Sequence, residues 1–598
     1  MKAEINQRVA EVRQLLEQEH LAAYIFPSTD PHHGEYVPDH WKGREWISGF
    51  NGSAGTAVVT LNGAALWTDS RYFLAAEEQL RGTEFQLMRQ KMEGTPTIAA
   101  WIGEQLKDSK CTEVGLDGMV NSWAQVEVLK SELRRQGGLT LRTNIDVLGQ
   151  LWKNRPQLPM APIVVQPIEM AGESVLSKLG RLRKVLCQQH CDGMLVSALD
   201  DIAWLLNLRG GDVHCNPVFV SYLLVESESC VLFVHPEKLD IEVRSYLAHL
   251  KVEVRPYGDV AEYLKREYFA YNLLVDAEET CATLVGCLRQ GRAEAVFGQS
   301  PIPGMKAIKN ETEIAGFHRA MKRDGVALVK FLRWLLPAVQ AGGQTEMSLD
   351  RKLTGLRAEQ PLFRGISFDT IAGYAVHGAI VHYEATPETD IEVQPQGFIL
   401  IDSGAQYQDG TTDITRTIAL GPLTEEEKRI YTLVLKGHIQ LELAKFPDGA
   451  CGTQLDALAR EAMWREGLNF MHGTGHGVGA YLNVHEGPHQ IRMEYMPAPL
   501  HAGMTVTDEP GLYLAGRFGV RIENTLLVTP YRETEFGRFL QMEALTLCPI
   551  DTAPILLELL LPEERQWLND YHRRVYEILA PELDEDDRLW LKEATQPI

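Results

Sequence analysis

The 598-residue chain contains no run of about 18 apolar residues, so no segment of it reads as a membrane-spanning helix. Its opening, MKAEINQRVAEVRQLLEQEH, is a charged amphipathic pattern without the apolar stretch of a secretory leader. Basic residues are scarce: 58 Lys and Arg stand against 81 Asp and Glu, a formal charge of −23. Phosphate and anionic lipid need a basic surface, so this balance argues against a nucleic-acid or membrane partner. Cysteine is sparse and odd in number, nine in all, and scattered. Cys187 and Cys191 flank His190, but they lie in an amphipathic helical pattern and no second pair follows. These read as idle thiols, which suits a reducing compartment and a cytoplasmic location.

What is present is an ordinary globular composition, 45% hydrophobic and 23% charged, spread over a length that implies several domains. VRQLLEQEHLAAYIFPSTD (12–30) lines up with LRKVLCQQHCDGMLVSALD (182–200) at a constant offset. Arg13/Arg183, Leu16/Leu186, Gln18/Gln188, His20/His190 and Asp30/Asp200 are identical. Both stretches read as helix, short apolar strand and turn, so two successive α/β domains of similar build are expected, 1–155 and 156–305. The proline-rich NRPQLPMAPIVVQP marks their boundary. A third domain, 306–598, opens on the helical pattern ETEIAGFHRAMKRDGVALVKFLRWLL. At its far end PEERQWLNDYHRRVYEIL is again helical, with Trp567, Tyr571 and Val575 on one stripe that packs on its own domain or against a second copy.

Residues 471–479 read MHGTGHGVG. Two histidines four apart could share a helix face and one metal. Gly473, Gly475, Gly477 and Gly479 argue against that, because each costs a helix about 1 kcal/mol relative to alanine. The stretch therefore reads as irregular or extended backbone that brings an imidazole close to distant partners. The candidates are acidic. GFILIDSGAQYQDGTTDITRTIAL reads as strand, turn, strand, with Asp402 closing the first strand and Asp413 in the second. Folded about their midpoint, the two carboxylates stand opposite each other. A tight turn at Asp409-Gly410 pairs Asp413 with Gln406 instead, leaving Asp402 about 13 Å along the strand. Parity keeps both on one face, and either register remains open.

Glu509 ends a strand in MTVTDEPGLYL, and Glu523 lies inside the apolar strand of GVRIENTLLVT, where a lone carboxylate is costly to bury. Four carboxylates gathered without cations repel and raise one another's pKa values. Two divalent ions balance them, and one histidine of the glycine-rich run completes an oxygen-rich donor set. Such a set suits manganese, iron or cobalt better than a structural zinc.

The stretches IDSGAQYQDGTTDITRT, HGTGHGVGAYLNVHEGP, TDEPGLY and GVRIENTLLV resemble the dinuclear metallopeptidases of the pita-bread fold, and in particular their three-domain cytosolic Xaa-Pro aminopeptidases. GSAGTAVVT and LWTDSRYFL, then ALDDIAWLLNLRGGDVHCNPVFVSYLLV and LKEATQPI, extend the resemblance over nearly the whole chain. It implies two creatinase-N-like α/β domains before an α+β pita-bread catalytic domain. It also implies two divalent ions per subunit, manganese ahead of cobalt, iron or zinc, with Asp402, Asp413, His476, Glu509 and Glu523 as ligands. By the same resemblance His382 and His485 contact substrate and assist chemistry, Arg521 stands beside the bridging Glu523, and His472 orients the site or touches substrate. Arg71 is a substrate contact from the first domain, and Phe368 an apolar wall for the proline ring. His377 departs from the pattern: a solvated loop histidine is the plain reading, altered access to the site the sharper one.

The implied reaction is hydrolysis of the bond between an N-terminal residue and a penultimate proline by a hydroxide bridging two ions, with Glu509 passing a proton to the leaving nitrogen. Peptides with proline in second position are the expected partners, and a homodimer the expected assembly. A prolidase restricted to dipeptides, a metal-free creatine-type hydrolase and a non-catalytic binding module of the same fold are the alternatives.

Overall fold

Ile5, Val9, Val12 and Leu16 recur every three or four residues and form the buried face of helix Lys2–Gln18. The computed structural model describes residues 2–107, 109–265, 272–291 and 293–598; Met1 of the expected first helix lies outside them. The helix belongs to the first of two compact units, formed by the chain up to Gln166 and by Glu173–Ile302. It ends at His20, which takes a left-handed φ of 56°, and strand Ala23–Pro27 follows. Helix Val175–Gln188, His190 at φ 57° and strand Gly193–Val196 repeat the arrangement.

The duplication continues into two six-stranded sheets of the same order. In each, the repeat strand pairs antiparallel with one neighbour and parallel with the other. Arg13 Nε donates to the Thr60 carbonyl at 3.1 Å, and Arg183 Nε makes the corresponding bond to the Glu226 carbonyl at 2.8 Å. Those two arginines are identical in the repeat because each ties its helix to the sheet.

The second unit comprises Pro167–Gly172 and Pro303–Ile598. It opens on helix Glu311–Ala341, whose start is set by a capping box between Asn310 and Glu313. Its core gathers helix Glu425–Glu442, the strands around residues 504–544 and the C-terminal helix Pro562–Leu579. Leu568, Tyr571 and Val575 are buried in that core, and Trp567 stacks on Tyr571 with centroids 5.2 Å apart. The apolar stripe of helix Pro562–Leu579 is thus accounted for by packing on its own unit.

Strands Ile371–Tyr374, Phe398–Ser403 and Ile414–Ala419 form an antiparallel sheet that carries Asp402 opposite Thr415. The chain turns at Gln408 and Asp409, with Tyr407 opposite Gly410. That register differs from both sequence alternatives and leaves Asp413, opposite Gly404, two positions from Asp402. Gly404 permits the crossing, since a Cβ there would lie 2.0 Å from the Thr412 carbonyl. Behind this sheet Arg357 makes paired bonds to Asp324 at 2.9 and 3.0 Å, and Tyr407 Oη donates to the same carboxylate at 3.1 Å. All three side chains are buried. Asp324→Ala strands the Arg357 guanidinium and is expected to cost about 3–5 kcal/mol in urea unfolding. Asp324→Leu combined with Arg357→Met removes both charges and should lose distinctly less stability than the single variant.

Candidate metal centre

Glycine explains how the histidine-bearing segment reaches its partners. Gly475–Gly477 forms a short strand against Glu486–Ile491. A Cβ on Gly475 would lie 1.9 Å from the Thr507 carbonyl, and one on Gly477 2.5 Å from the Glu486 carbonyl. Only hydrogen fits there, so the His476 backbone packs directly on the strand leading to Glu509. Gly473 meets nothing closer than 3.6 Å and serves no such purpose.

The four carboxylates come from four strand ends. Asp402 lies in Phe398–Ser403, Asp413 immediately precedes Ile414–Ala419, and Glu509 follows Thr505–Asp508. Glu523 occupies the break between Phe518–Arg521 and Asn524–Thr534, its N–H donating to the Thr415 carbonyl at 3.1 Å. It is therefore not inside a continuous strand, as its apolar surroundings suggested. Among these carboxylates and the histidines of residues 471–485, three sets have donor atoms within 4.8 Å of one another: Asp402, Asp413 and Glu523; His476, Glu509 and Glu523; Asp413, His476 and His485. The sets share members, so they describe one centre.

His476 Nδ1 lies 2.8 Å from the Gly477 carbonyl. A carbonyl only accepts, so in the neutral ring Nδ1 carries the proton and Nε2 presents a lone pair. That lone pair is 3.5 Å from Asp413 Oδ2 and 3.4 Å from Glu509 Oε1. Three electron-rich atoms face one another at distances that call for a cation between them. Asp402 Oδ1 is buried without a hydrogen-bond partner. Burial, followed by the charges of Asp402 and Glu509, holds the Asp413 carboxyl well above its usual range. Burial and the Asp413 charge do the same to Glu523, and Glu509 is pushed up to about 8, chiefly by burial. The donor set fits a pair of divalent cations, which replace protons as the neutralising charge.

Around this centre, Arg521 Nη2 donates to Asp402 Oδ2 at 2.7 Å, and Arg521 Nη1 donates to Tyr513 Oη at 2.6 Å. Tyr513 Oη lies 2.8 Å from His472 Nε2, whose Nδ1 bonds the Gly473 carbonyl. His472 thus acts on Asp402 through two intermediaries. The His485 ring meets that of His476 edge to face at 4.3 Å. Buried Lys309 ion-pairs Glu486, fixing the corner beside His485. His382 follows Val381, whose carbonyl accepts from Arg521 at 3.3 Å.

Arg71 is in the first unit, its guanidinium paired with Asp69 at 2.9 and 2.8 Å. Phe368 is half-buried in the bend between Phe363–Ile366 and Ile371–Tyr374. His377 is not a solvated loop side chain; it bonds the buried Glu346. Lys309, Glu486, Tyr513 and Glu346 escaped the sequence reading. Only Glu486, next to a singled-out histidine, carried a signal there.

The sequence profile of metallopeptidase family M24 matches residues 315–530, and that of its C-terminal region residues 538–598. The creatinase/prolidase N-terminal domain matches twice, at 8–146 and 154–313. A probable Xaa-Pro aminopeptidase P of Paracoccidioides brasiliensis is 40% identical over 618 residues, covering 99% of both chains. Aminopeptidase P1 of Arabidopsis thaliana is 40% identical and covers 97% of both. The crystal structure of an X-prolyl aminopeptidase from Caenorhabditis elegans, described as a cytosolic enzyme with a di-nuclear active site, superposes with a TM-score of 0.94 at 35% identity. That match covers 99% of this chain and 100% of the other.

The chain belongs to metallopeptidase family M24, with two creatinase-type α/β domains ahead of an α+β pita-bread domain. Within that family its place is among the Xaa-Pro aminopeptidases.

The raised carboxyls have a measurable consequence. Burial pushes the Glu509 carboxyl up from its ordinary 4.5 to about 8 in the metal-free fold. Between those values the native state binds more protons than the unfolded chain, so native stability falls as pH rises. Protein stripped by a chelator should therefore lose stability as pH rises from about 4.5 to about 8. Reloaded protein should lack that slope, which urea titrations across the range will resolve.

Proposed function

We propose that the chain removes an N-terminal residue from peptides whose second residue is proline, with two divalent ions held by Asp402, Asp413, His476, Glu509 and Glu523. The observation that carries this reading is the acceptor nitrogen of His476 facing two carboxylates. When bound, the ions supply Lewis-acid charge and lower the pKa of water enough to form a nucleophile near neutral pH.

The chain's own residues do the rest. His485, edge-on to His476, donates to the scissile carbonyl oxygen as negative charge develops there. Glu509 takes a proton from the attacking water and passes it to the departing proline nitrogen. That nitrogen carries no N–H in the substrate, so a site built for it cannot rely on the amide contact most peptidases use. Arg521 keeps Asp402 oriented, and the Asp402 end of the site takes the free amino group, which restricts cleavage to the first bond. His382 contacts the substrate from the segment beside Arg521. Phe368 and Arg71 complete the substrate contacts.

The oxygen-rich donors support manganese ahead of cobalt, iron or zinc. The repeated six-stranded sheets and the two N-terminal matches support the division 1–155, 156–305 and 306–598. A cytoplasmic homodimer belongs to the same reading. The cytosolic Caenorhabditis enzyme supports its location; among the described residues no helix is long and apolar enough to cross a membrane.

Arg-Pro-Pro should release arginine while Arg-Ala-Ala stays intact; equal cleavage rejects proline specificity. Ala-Pro-Ala should be hydrolysed in preference to the dipeptide Ala-Pro, the reverse of a prolidase. His485→Ala should lower kcat by about 10²–10³ with metal content unchanged, as loss of one oxyanion donor does. Asp413→Asn should abolish turnover and lose bound metal, read by elemental analysis.

A further inference from the structure

Glu346 is the first residue of helix Glu346–Ala358 and is fully buried, a costly place for a carboxylate. The Tyr374 N–H and the Tyr383 hydroxyl each donate to it at 2.8 Å. His377 Nδ1 lies 2.9 and 3.0 Å from its two oxygens, so Nδ1 carries the proton and donates to the pair. The His377 and Tyr383 rings stack with centroids 4.3 Å apart. All three donors bracket one short segment, the turn that leaves strand Ile371–Tyr374 and delivers His382.

That segment has little regular structure of its own. Ala375 takes a left-handed φ of 49°, and a 3-10 turn covers Ala375–Ala379. Further holds come from the metal-centre side. A Cβ on Gly519 would lie 1.8 Å from the Gly378 carbonyl, so the two backbones are in direct contact. Val381 takes its hydrogen bond from Arg521, which also holds Asp402. A buried carboxylate needs hydrogen-bond donors, and Glu346 takes its donors from the turn that leads to His382. The cross-turn bonds to Tyr374, His377 and Tyr383 therefore point to a second task for Glu346.

We propose that Glu346, with His377 and Tyr383, is the anchor that sets the position of His382 against the substrate. The role rests on the reading of His382 as a substrate contact. It makes Glu346 and His377 positioning residues, acting through His382 and not on the reacting atoms.

The test uses the full-length, metal-loaded enzyme with Ala-Pro-Ala, in wild-type and His382→Ala backgrounds. Glu346→Gln and His377→Val should each lower kcat/KM by about ten- to a hundredfold, the scale of a displaced contact. His377→Asn keeps a donor for Glu346 and should stay close to wild type. In the His382→Ala background the same substitutions should add little, because residues acting through one group are not additive. Amide exchange over 375–383 should quicken in Glu346→Gln while both ions remain bound.

An equal loss in the His382→Ala background, or unchanged exchange over 375–383, overturns the anchor. His382→Ala at the wild-type rate overturns it as well. A wild-type enzyme that leaves Ala-Pro-Ala intact sinks the peptidase reading alone, since exchange still decides the anchor. Should Glu346→Gln fail to fold, His377→Val and Tyr383→Phe carry the same comparison.

Discussion

Mutual repulsion among buried acids is the constraint on which the second unit is built. Asp402, Asp413 and Glu523 are at most 8% exposed, and with Glu509 they converge on one imidazole whose Nε2 is itself an acceptor. No arrangement of neutral side chains balances that charge. Protons can do so in part, which is why the carboxyls sit above their usual range. Divalent cations held by these donors would balance it more fully.

The rest of the fold holds this unfavourable cluster together. Arg521 contributes the nearest fixed positive charge, linked to Asp402 on one side and to Tyr513 and His472 on the other. Its Nε also donates to Thr415 Oγ1 at 3.2 Å, while Thr415 donates to Glu523 at 2.7 Å. A shift in one strand is thus felt by two carboxylates. Farther out, buried ion pairs at Arg357–Asp324 and Lys309–Glu486 fix the strand and the corner on which Asp402 and His485 depend. Pairs of this kind add little net stability, but breaking one is costly, so they resist misplacement. The His382 segment is held in the same manner, by hydrogen bonds to a single buried carboxylate.

The first unit shows a different economy. Its two sheets repeat one strand order, and the identical residues that reveal the repeat have local structural tasks: His20 and His190 turn the chain in a left-handed conformation, while Arg13 and Arg183 clamp helix to sheet. Those identities mark duplication of a fold and carry no chemistry. In the second unit the telling residues were single acids in apolar or glycine-rich settings, where an ordinary structural account was strained from the start. Glu523 in its apolar run and His476 among glycines were legible for that reason.

Local pattern by itself determined the helices, the repeated α/β domains and which side chains were too costly to bury alone, because periodicity and desolvation act residue by residue. Register, close approach and second-layer partners were decided only in three dimensions. The turn at Gln408 and Asp409 brings Asp413 within reach of Asp402, a choice that parity could not make. Gly475 and Gly477 are needed because particular carbonyls lie against them. Glu346, Tyr513 and Lys309 look unremarkable in sequence, since their importance comes from neighbours tens of residues or more away in the chain. Charge must be balanced in space, and only the folded chain sets which charges meet.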